Sequence, residues 1–495
     1  MSSLDETLSA IGYAKVIVRL KPAATASAVA GAVVPTAGGG SRLDHKAIEG
    51  ALEKYFMAPD AAQSQSLAAS ATRSASKKFR RSESLQSRRV RVYPNLGLAL
   101  GNVEAGQAAA LANDERVDRV EKAPELSLIR PVATRPAKRA VAPTWGITRI
   151  KADRLWTAGF TGKDVVVGHL DTGVDGSHPA LQGAISAFAE FDMAGDQVTG
   201  AKAHDSDVHG THTAGTIAGR SGAKGPFGVA PGAKLASAMV IEGGQVIDRI
   251  LAGMDWIVGQ HVRILSMSLG LRGFTPAFQV VVDALRAANV LPVFAVGNEG
   301  ANTSRSPGNY ANALSVGAMD SSDIVPDFSG SQAFPRADNT LVPDLVAPGV
   351  GVLSSVPGGK FEEMDGSSMA TPHVAGLAAI LLQAKPNATA DELEKAILGC
   401  CTRPSNMLEA RGNRGVPDAV KAYSLLTGMA LPAAVASAAG RAAKPRRAQG
   451  KRKAKPRGRT PAGHRGRASP SAIHRRKTGK GTSATTAKSR RRKSR

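Results

Sequence analysis

Cysteine, aromatic side chains and any strongly apolar leader are what this chain of 495 residues has least of. Its two cysteines, Cys400 and Cys401, are adjacent. Neighbouring cysteines seldom bridge each other, so a disulfide framework and a cysteine-based zinc cluster are both excluded and two thiols are expected. Aromatics make up 4% of the chain. None falls in residues 441–495, which argues against base stacking as a way for that segment to hold single strands. The N-terminus has no basic start, Asp5 and Glu6 stand where an export signal would turn apolar, and Arg19 interrupts the run Val16 to Leu20. No secretory signal is read there. Tyr423 to Gly440 is free of charge but rich in Ala and Ser, with Gly428 and Pro432 inside. Small side chains give little transfer energy, so this stretch reads as a closing helix running into a linker, and no transmembrane segment is expected.

What is abundant is turn-forming residues and, locally, positive charge. The chain holds 53 Gly and 28 Pro, with 42% hydrophobic residues, enough for a large core. The net charge of +24 is not spread evenly: residues 441–495 hold 22 Lys/Arg and no Asp/Glu, leaving 42 basic and 40 acidic side chains in the preceding 440 residues. The charge therefore describes an appendage and not the fold.

Composition divides the chain into three parts: residues 1–135, 144–427 and 428–495. In the middle part short apolar runs alternate with helical spacing. Val165 to Leu170, Leu235 to Val240, Ile264 to Leu269, Val290 to Val296 and Leu314 to Ala318 read as strands; Val246 to Val258 and Thr275 to Ala288 read as helices. Continuous apolar strands between helices predict an α/β fold with a mostly parallel sheet covered on both faces. Functional groups in such folds gather at the carboxyl ends of the strands, where Asp171 stands.

Three segments carry the chemistry: Gly168-His169-Leu170-Asp171-Thr172-Gly173-Val174-Asp175, His209-Gly210-Thr211-His212-Thr213-Ala214-Gly215, and Gly366-Ser367-Ser368-Met369-Ala370-Thr371-Pro372-His373-Val374-Ala375-Gly376. In this order they resemble the Asp, His and Ser motifs of the subtilisin-like serine proteases. Trp145-Gly146-Ile147 is similar to the usual start of the mature enzyme, and Val346-Ala347-Pro348-Gly349 to the lead-in to the serine motif. The resemblance spans about residues 144 to 425. It implies a three-layer subtilisin-like domain and a serine endopeptidase that acts on proteins or peptides. Ser368 would be the nucleophile, His209 the general base and Asp171 the group that holds the His209 tautomer. Asn298, in Ala295-Val296-Gly297-Asn298-Glu299-Gly300, would complete an oxyanion hole with the backbone N–H of Ser368, at the N-terminus of an apolar helix. Ser268, Leu269, Gly270, Ala295 and Gly297 would line the substrate cleft. Glu299 and Arg305 would lie near the primary pocket, either paired with each other or selecting a charged substrate residue. His212 and His373 read as structural, and His178 and Asp175 as parts of the turn after Asp171.

No cofactor is implied. Ala180 replaces the Asp of the family's common calcium site, and the loop after His209, Gly219 to Gly225, has no carboxylate; that site is predicted to be absent, so no metal ligand is assigned. Residues 12 to 130 resemble, more diffusely, the inhibitor-type propeptide of the family, a small α+β domain. Tyr13 to Leu20, Arg89 to Tyr93, Leu96 to Leu100 and Arg116 to Glu121 read as its strands, and Val103 to Asn113 as a helix. The stretch Ile129 to Thr144, with Arg130, Arg135, Lys138 and Arg139 among Pro and Ala, reads as exposed and cleavable. The propeptide would then be an intramolecular inhibitor of a self-processing zymogen. Residues 441–495 read as a disordered tail that binds DNA, RNA or another polyanion; Lys455 to Pro461 weakly resembles an AT-hook, with Thr460 in place of its proline. An inactive protease-like protein anchored to nucleic acid by this tail is the rival reading. Absence of a signal fits the cytoplasm, and export by another route stays open.

Overall fold

The computed structural model describes residues 3–21, 33–35, 41–43, 45–57, 88–137, 143–220, 227–241, 246–334 and 340–432. The expectations placed on the basic tail, and on most of the loop after His209, lie outside these residues.

Strand β1 (Tyr13–Leu20) follows a helix, Ser3–Ile11, and precedes a short hairpin of β2 (Val33–Pro35) and β3 (Ser41–Leu43). Then come β4 (Val90–Tyr93), β5 (Leu98–Glu104), a helix, Ala105–Ala112, and β6 (Val117–Lys122). They form an antiparallel sheet in the order β4-β5-β1-β6. Alternation along β1 explains its position. Ala14, Val16, Val18 and Leu20 join the N-terminal core, while Ile17 points to the opposite face and into the core of the larger domain. β5 runs on through Val103 and Glu104, so the following helix begins two residues later than its Ala-rich composition suggests. In-register pairing of Val103 with Ala14 wins over local helix propensity there.

Two short strands lead onward, β7 (Ser127–Leu128) and β8 (Ala133–Pro136). The larger domain then contributes β9 (Val166–Asp171), β10 (Ile185–Glu190), β11 (Lys234–Met239), β12 (Ile264–Met267), β13 (Leu269–Arg272), β14 (Leu291–Ala295), β15 (Arg305–Ser306), β16 (Leu314–Met319), β17 (Gln332–Ala333), β18 (Leu341–Val342), β19 (Leu345–Pro348), β20 (Val352–Val356) and β21 (Lys360–Asp365). Seven of these make a wholly parallel sheet in the order β10-β11-β9-β12-β14-β16-β19. One face is covered by the helices Ile247–Gly259 and Gln279–Ala287, the other by His209–Ala218 and Ser367–Ala384. The strand order reverses between β9 and β12, so a crevice opens at their carboxyl ends.

Two departures from the sequence expectation bear on function. The apolar run Ile264 to Leu269 is not one strand: β12 stays in the sheet, and Ser268 turns the chain out into β13, which pairs with β7 and β15. Periodicity could not show this, because the residues on both sides of the turn are buried. The stretch after Ile129 is not a free linker either. Ile129 is only 1% exposed, and Ala133–Pro136 pairs antiparallel with β21. Its Pro- and Ala-rich composition reads as loop, but β21 offers a row of main-chain partners that makes it a strand. Residues 138–142 of that stretch lie outside the description.

Candidate functional site

Asp171 ends β9 and is 2% exposed. Its Oδ1 accepts from the Thr172 N–H at 2.7 Å and lies 2.7 Å from His209 Nδ1. His209 opens the helix His209–Ala218. That helix is brought to the strand end by Asp205, a residue without any sequence signal of its own. Asp205 Oδ2 accepts from Thr211 N at 2.7 Å and Thr211 Oγ1 at 2.6 Å, and its Oδ1 accepts from Thr172 Oγ1 at 2.7 Å. One carboxylate thus satisfies a free N–H of the first helical turn and ties it to the residue after Asp171. Burial pushes the Asp205 carboxyl above its ordinary value, against the pull of these bonds. The two glycines of the motifs allow the approach: a Cβ on Gly210 would stand 2.0 Å from the Gly173 carbonyl oxygen, and Gly173 has φ +112°.

Burial opposes charge on both Asp171 and His209, yet each stabilises the other's ion. The charge and hydrogen bond of His209 hold Asp171 below its ordinary value. For His209, the charge of Asp171, its hydrogen bond, and the charges of Asp205 and Asp207 outweigh burial and raise the imidazole.

Ser368 is the second residue of the helix Ser367–Ala384 and is fully buried. Asn298 is fixed against the same helix start. Its Oδ1 accepts from Ser367 N at 2.9 Å and Ser367 Oγ at 2.8 Å. A backbone N–H can only donate, so this contact sets the amide orientation and leaves Nδ2 facing the cleft. There Nδ2 donates to the Arg130 carbonyl at 2.9 Å.

The cleft is occupied by the chain's own residues 127–130. β7 pairs antiparallel with β13, Leu128 opposite Leu269 and Ser127 opposite Gly270, and Ile129 N donates to Ser268 O at 2.9 Å. Ser368 Oγ donates to Ile129 O at 2.6 Å. His209 Nε2 is buried and has no hydrogen-bond partner among the described residues. The nucleophile candidate and the base candidate are therefore not joined; the Ile129 carbonyl takes the serine proton donor.

Of the residues expected to line the cleft, Ser268, Leu269 and Gly270 lie along this segment. Ala295 ends β14, paired with Val316, and Gly297 donates through its N–H to Ser367 Oγ at 3.3 Å. Glu299 and Arg305 pair with each other, with Arg305 Nε 3.0 Å from Glu299 Oε1. Burial works against the Glu299 charge, but the Arg305 bond and charge hold its carboxyl below the ordinary value. Arg305 also donates to Ser127 Oγ and to Gly270 O, each at 3.1 Å. His212 and His373 are structural anchors: His212 Nε2 lies 3.0 Å from Val352 O, and His373 Nδ1 lies 2.8 Å from Met369 O. His178 N donates to Asp175 O in the turn after Asp171.

Residues 162–413 match the family model described as Subtilase family. The chain belongs to the subtilase family. It is 34% identical to subtilisin E of Bacillus subtilis (strain 168) over 288 residues, 57% of this chain and 72% of that protein. Against the M-protease of Shouchella clausii (strain KSM-K16) it is 37% identical over 275 residues, 55% of this chain and 68% of the relative. With subtilisin BL of Lederbergia lenta the identity is 38% over 245 residues, 49% of this chain and 85% of the relative. This subtilase is a serine endopeptidase with protein or peptide substrates. No helix of the described residues is long and apolar enough to cross a membrane.

Proposed function

We propose that Asp171, His209 and Ser368 are the catalytic triad of this subtilase, that residues 144–427 are its peptidase domain, and that residues 1–135 are an inhibitor-like propeptide of a self-processing zymogen. The observation that carries the reading is the hydrogen bond from Ser368 Oγ to Ile129 O at 2.6 Å, with Ile129 held in register along β13. In hydrolysis, Ser368 Oγ attacks a carbonyl carbon while its proton passes to His209 Nε2, the nitrogen left without a partner among the described residues. Asp171 holds the Nδ1–H tautomer and stabilises the imidazolium. The oxyanion is taken by Asn298 Nδ2 and the Ser368 N–H. His209 returns its proton to the leaving amine, and water repeats the sequence on the acyl-enzyme. In the present arrangement Asn298 Nδ2 holds the Arg130 carbonyl instead of the Ile129 one.

The bond that follows is Ile129–Arg130, since Ile129 presents its carbonyl to Ser368. Intact mass of the purified chain beside Ser368→Ala is the test. Loss of residues 1–129 in the wild type alone supports triad, propeptide and bond together. A wild type and a mutant cut alike would sink self-processing.

The same reading gives residues 441–495 a polyanion-binding role, supported by their 22 Lys/Arg without a single Asp/Glu. Retention on DNA is expected to fall steeply with salt and to vanish on deletion of 441–495. Retention that survives the deletion refutes it.

A further inference from the structure

Next to Asp171, three buried polar side chains form a hydrogen-bonded line. Ser237 on β11 stands opposite His169 on β9, and Thr213 lies one helical turn after His209. All three are buried, at 0%, 1% and 2% exposure. His169 and Asp171 share a face of β9 because side chains alternate. His169 Nδ1 is 2.9 Å from Ser237 Oγ, and His169 Nε2 is 2.9 Å from Thr213 Oγ1. Thr213 Oγ1 in turn is 3.1 Å from Asp171 Oδ2.

Thr213 has one hydroxyl hydrogen and several acceptors. Besides Asp171, the carbonyls of His209 and Gly210 lie 3.2 and 3.1 Å away, the usual targets of a helical threonine. The His169 tautomer decides what is left. If Nδ1 carries the proton, it donates to Ser237 and Nε2 draws the Thr213 hydrogen, so Asp171 Oδ2 receives nothing from Thr213. If Nε2 carries it, His169 donates to the Thr213 oxygen and the hydroxyl hydrogen is free for a carboxylate, a stronger acceptor than a carbonyl. Ser237 then donates to Nδ1, and every polar atom of the line is paired.

We infer that His169 and Thr213 are positioning residues, which deliver a hydrogen bond to Asp171 Oδ2 and so set how strongly Asp171 draws the His209 proton. The inference rests on the triad reading above. Burial pushes His169 down to about 4, so the ring stays neutral and keeps a single N–H while His209 titrates. A donor on Oδ2 withdraws charge from the carboxylate and makes His209 a weaker base than Asp171 alone would. The other charged or titratable groups acting on His209 are His212 on its own helix and Asp205 and Asp207 in the preceding loop, Asp207 itself being paired with Arg130 at 2.9 Å.

The test is a pH titration of His209 by nitrogen NMR on the full chain with labelled histidine, the signal assigned by its loss in His209→Gln. Thr213→Val should raise the His209 midpoint by about half a unit, roughly threefold in proton affinity. Thr213→Ser, which keeps the hydroxyl, should leave it in place. His169→Leu should move it the same way, and the double variant no further than Thr213→Val alone. Superimposable titrations of wild type and Thr213→Val overturn the inference, as does an equal shift in the serine variant. If Thr213→Val does not fold, an unchanged midpoint in His169→Leu overturns it. Failure of the triad reading shows elsewhere, as peptidase activity retained by Ser368→Ala.

Discussion

Asn298 shows how a single side chain can be aimed by what it cannot do. Its oxygen is committed to the N–H and hydroxyl of Ser367, so its amide nitrogen must face the cleft, where it meets a carbonyl. A donor fixed in this way needs no reorganisation when charge develops on a reacting oxygen. Asn298→Ala should therefore lower kcat by about 10²–10³-fold with KM little changed, the scale on which subtilisin itself responds to loss of its oxyanion amide. Steady-state hydrolysis of a peptide substrate by the processed enzyme measures this. A change confined to KM would mean that Asn298 holds substrate in the ground state and not the transition state. Glu299 and Arg305 are the contrary case: the two charges pair with each other, Arg272 lies 3.3 Å from Glu299, and Arg305 reaches the segment in the cleft through a hydrogen bond to Ser127 Oγ.

Among the elements, β7 and β8 matter most, because together they thread the N-terminal connection through the cleft. β7 pairs with β13 before Ile129, and β8 pairs with β21 after it. The second anchor is reinforced where Arg135 meets Asp365: Nη1 is 2.8 Å from Oδ2, and Nη2 bonds the other carboxylate oxygen. A bidentate pair of this kind adds direction as well as attraction, although Arg135 is 44% exposed and solvent weakens it. After a cut at Ile129–Arg130, β8 would still lie across the far half of the cleft as part of the new N-terminus. Arg135→Ala is expected to shorten the lag between cleavage and full activity, followed by a time course of mass and peptide hydrolysis on one sample. An unchanged lag would show that β8 leaves without resistance from this pair.

At the scale of the whole molecule, the N-terminal domain and the peptidase domain are joined by ions of opposite sign and by a shared apolar face. Lys15 bonds Asp248, Arg19 lies 3.2 Å from Asp283 and Arg91 lies 2.6 Å from Asp196. Asp255 accepts from Asn95 N at 2.7 Å and Leu96 N at 3.0 Å. Inside the peptidase domain, burial holds three histidines neutral. His169 and His373 are each pushed down to about 4, and His212 to about 3. An unfolded histidine takes up its proton near 6.5. Below that the unfolded chain binds protons that the folded chain refuses, so stability present above about pH 6.5 is lost as pH falls toward the depressed values. Thermal midpoints measured from pH 7 to pH 4 should drop steeply. A leucine at 169 should make the drop shallower, and a curve of unchanged steepness in His169→Leu would rule that histidine out as a contributor.

The amino-acid sequence by itself determined the α/β class, the parallel strands, the candidate triad and oxyanion residue, and the N-terminal strand pattern. These are legible because continuous apolar strands, helical spacing and the Gly-rich motifs around Asp171, His209 and Ser368 are local signals, repeated at every level of the chain. Tertiary structure alone decided what touches what across long separations. Asp205 bracing the His209 helix, Thr213 and His169 next to Asp171, and the split of one apolar run at Ser268 leave no local mark. Buried polar groups on different elements find each other only after the sheet and helices have packed. The stretch after Ile129 is the clearest instance. Its composition reads as a cleavable loop, but its conformation is set by partners more than a hundred residues away, on β13, Asn298, Ser368 and β21. Main-chain hydrogen bonds carry no side-chain signature, so a segment that borrows them from an enzyme's own cleft cannot be distinguished from a linker until the fold is known.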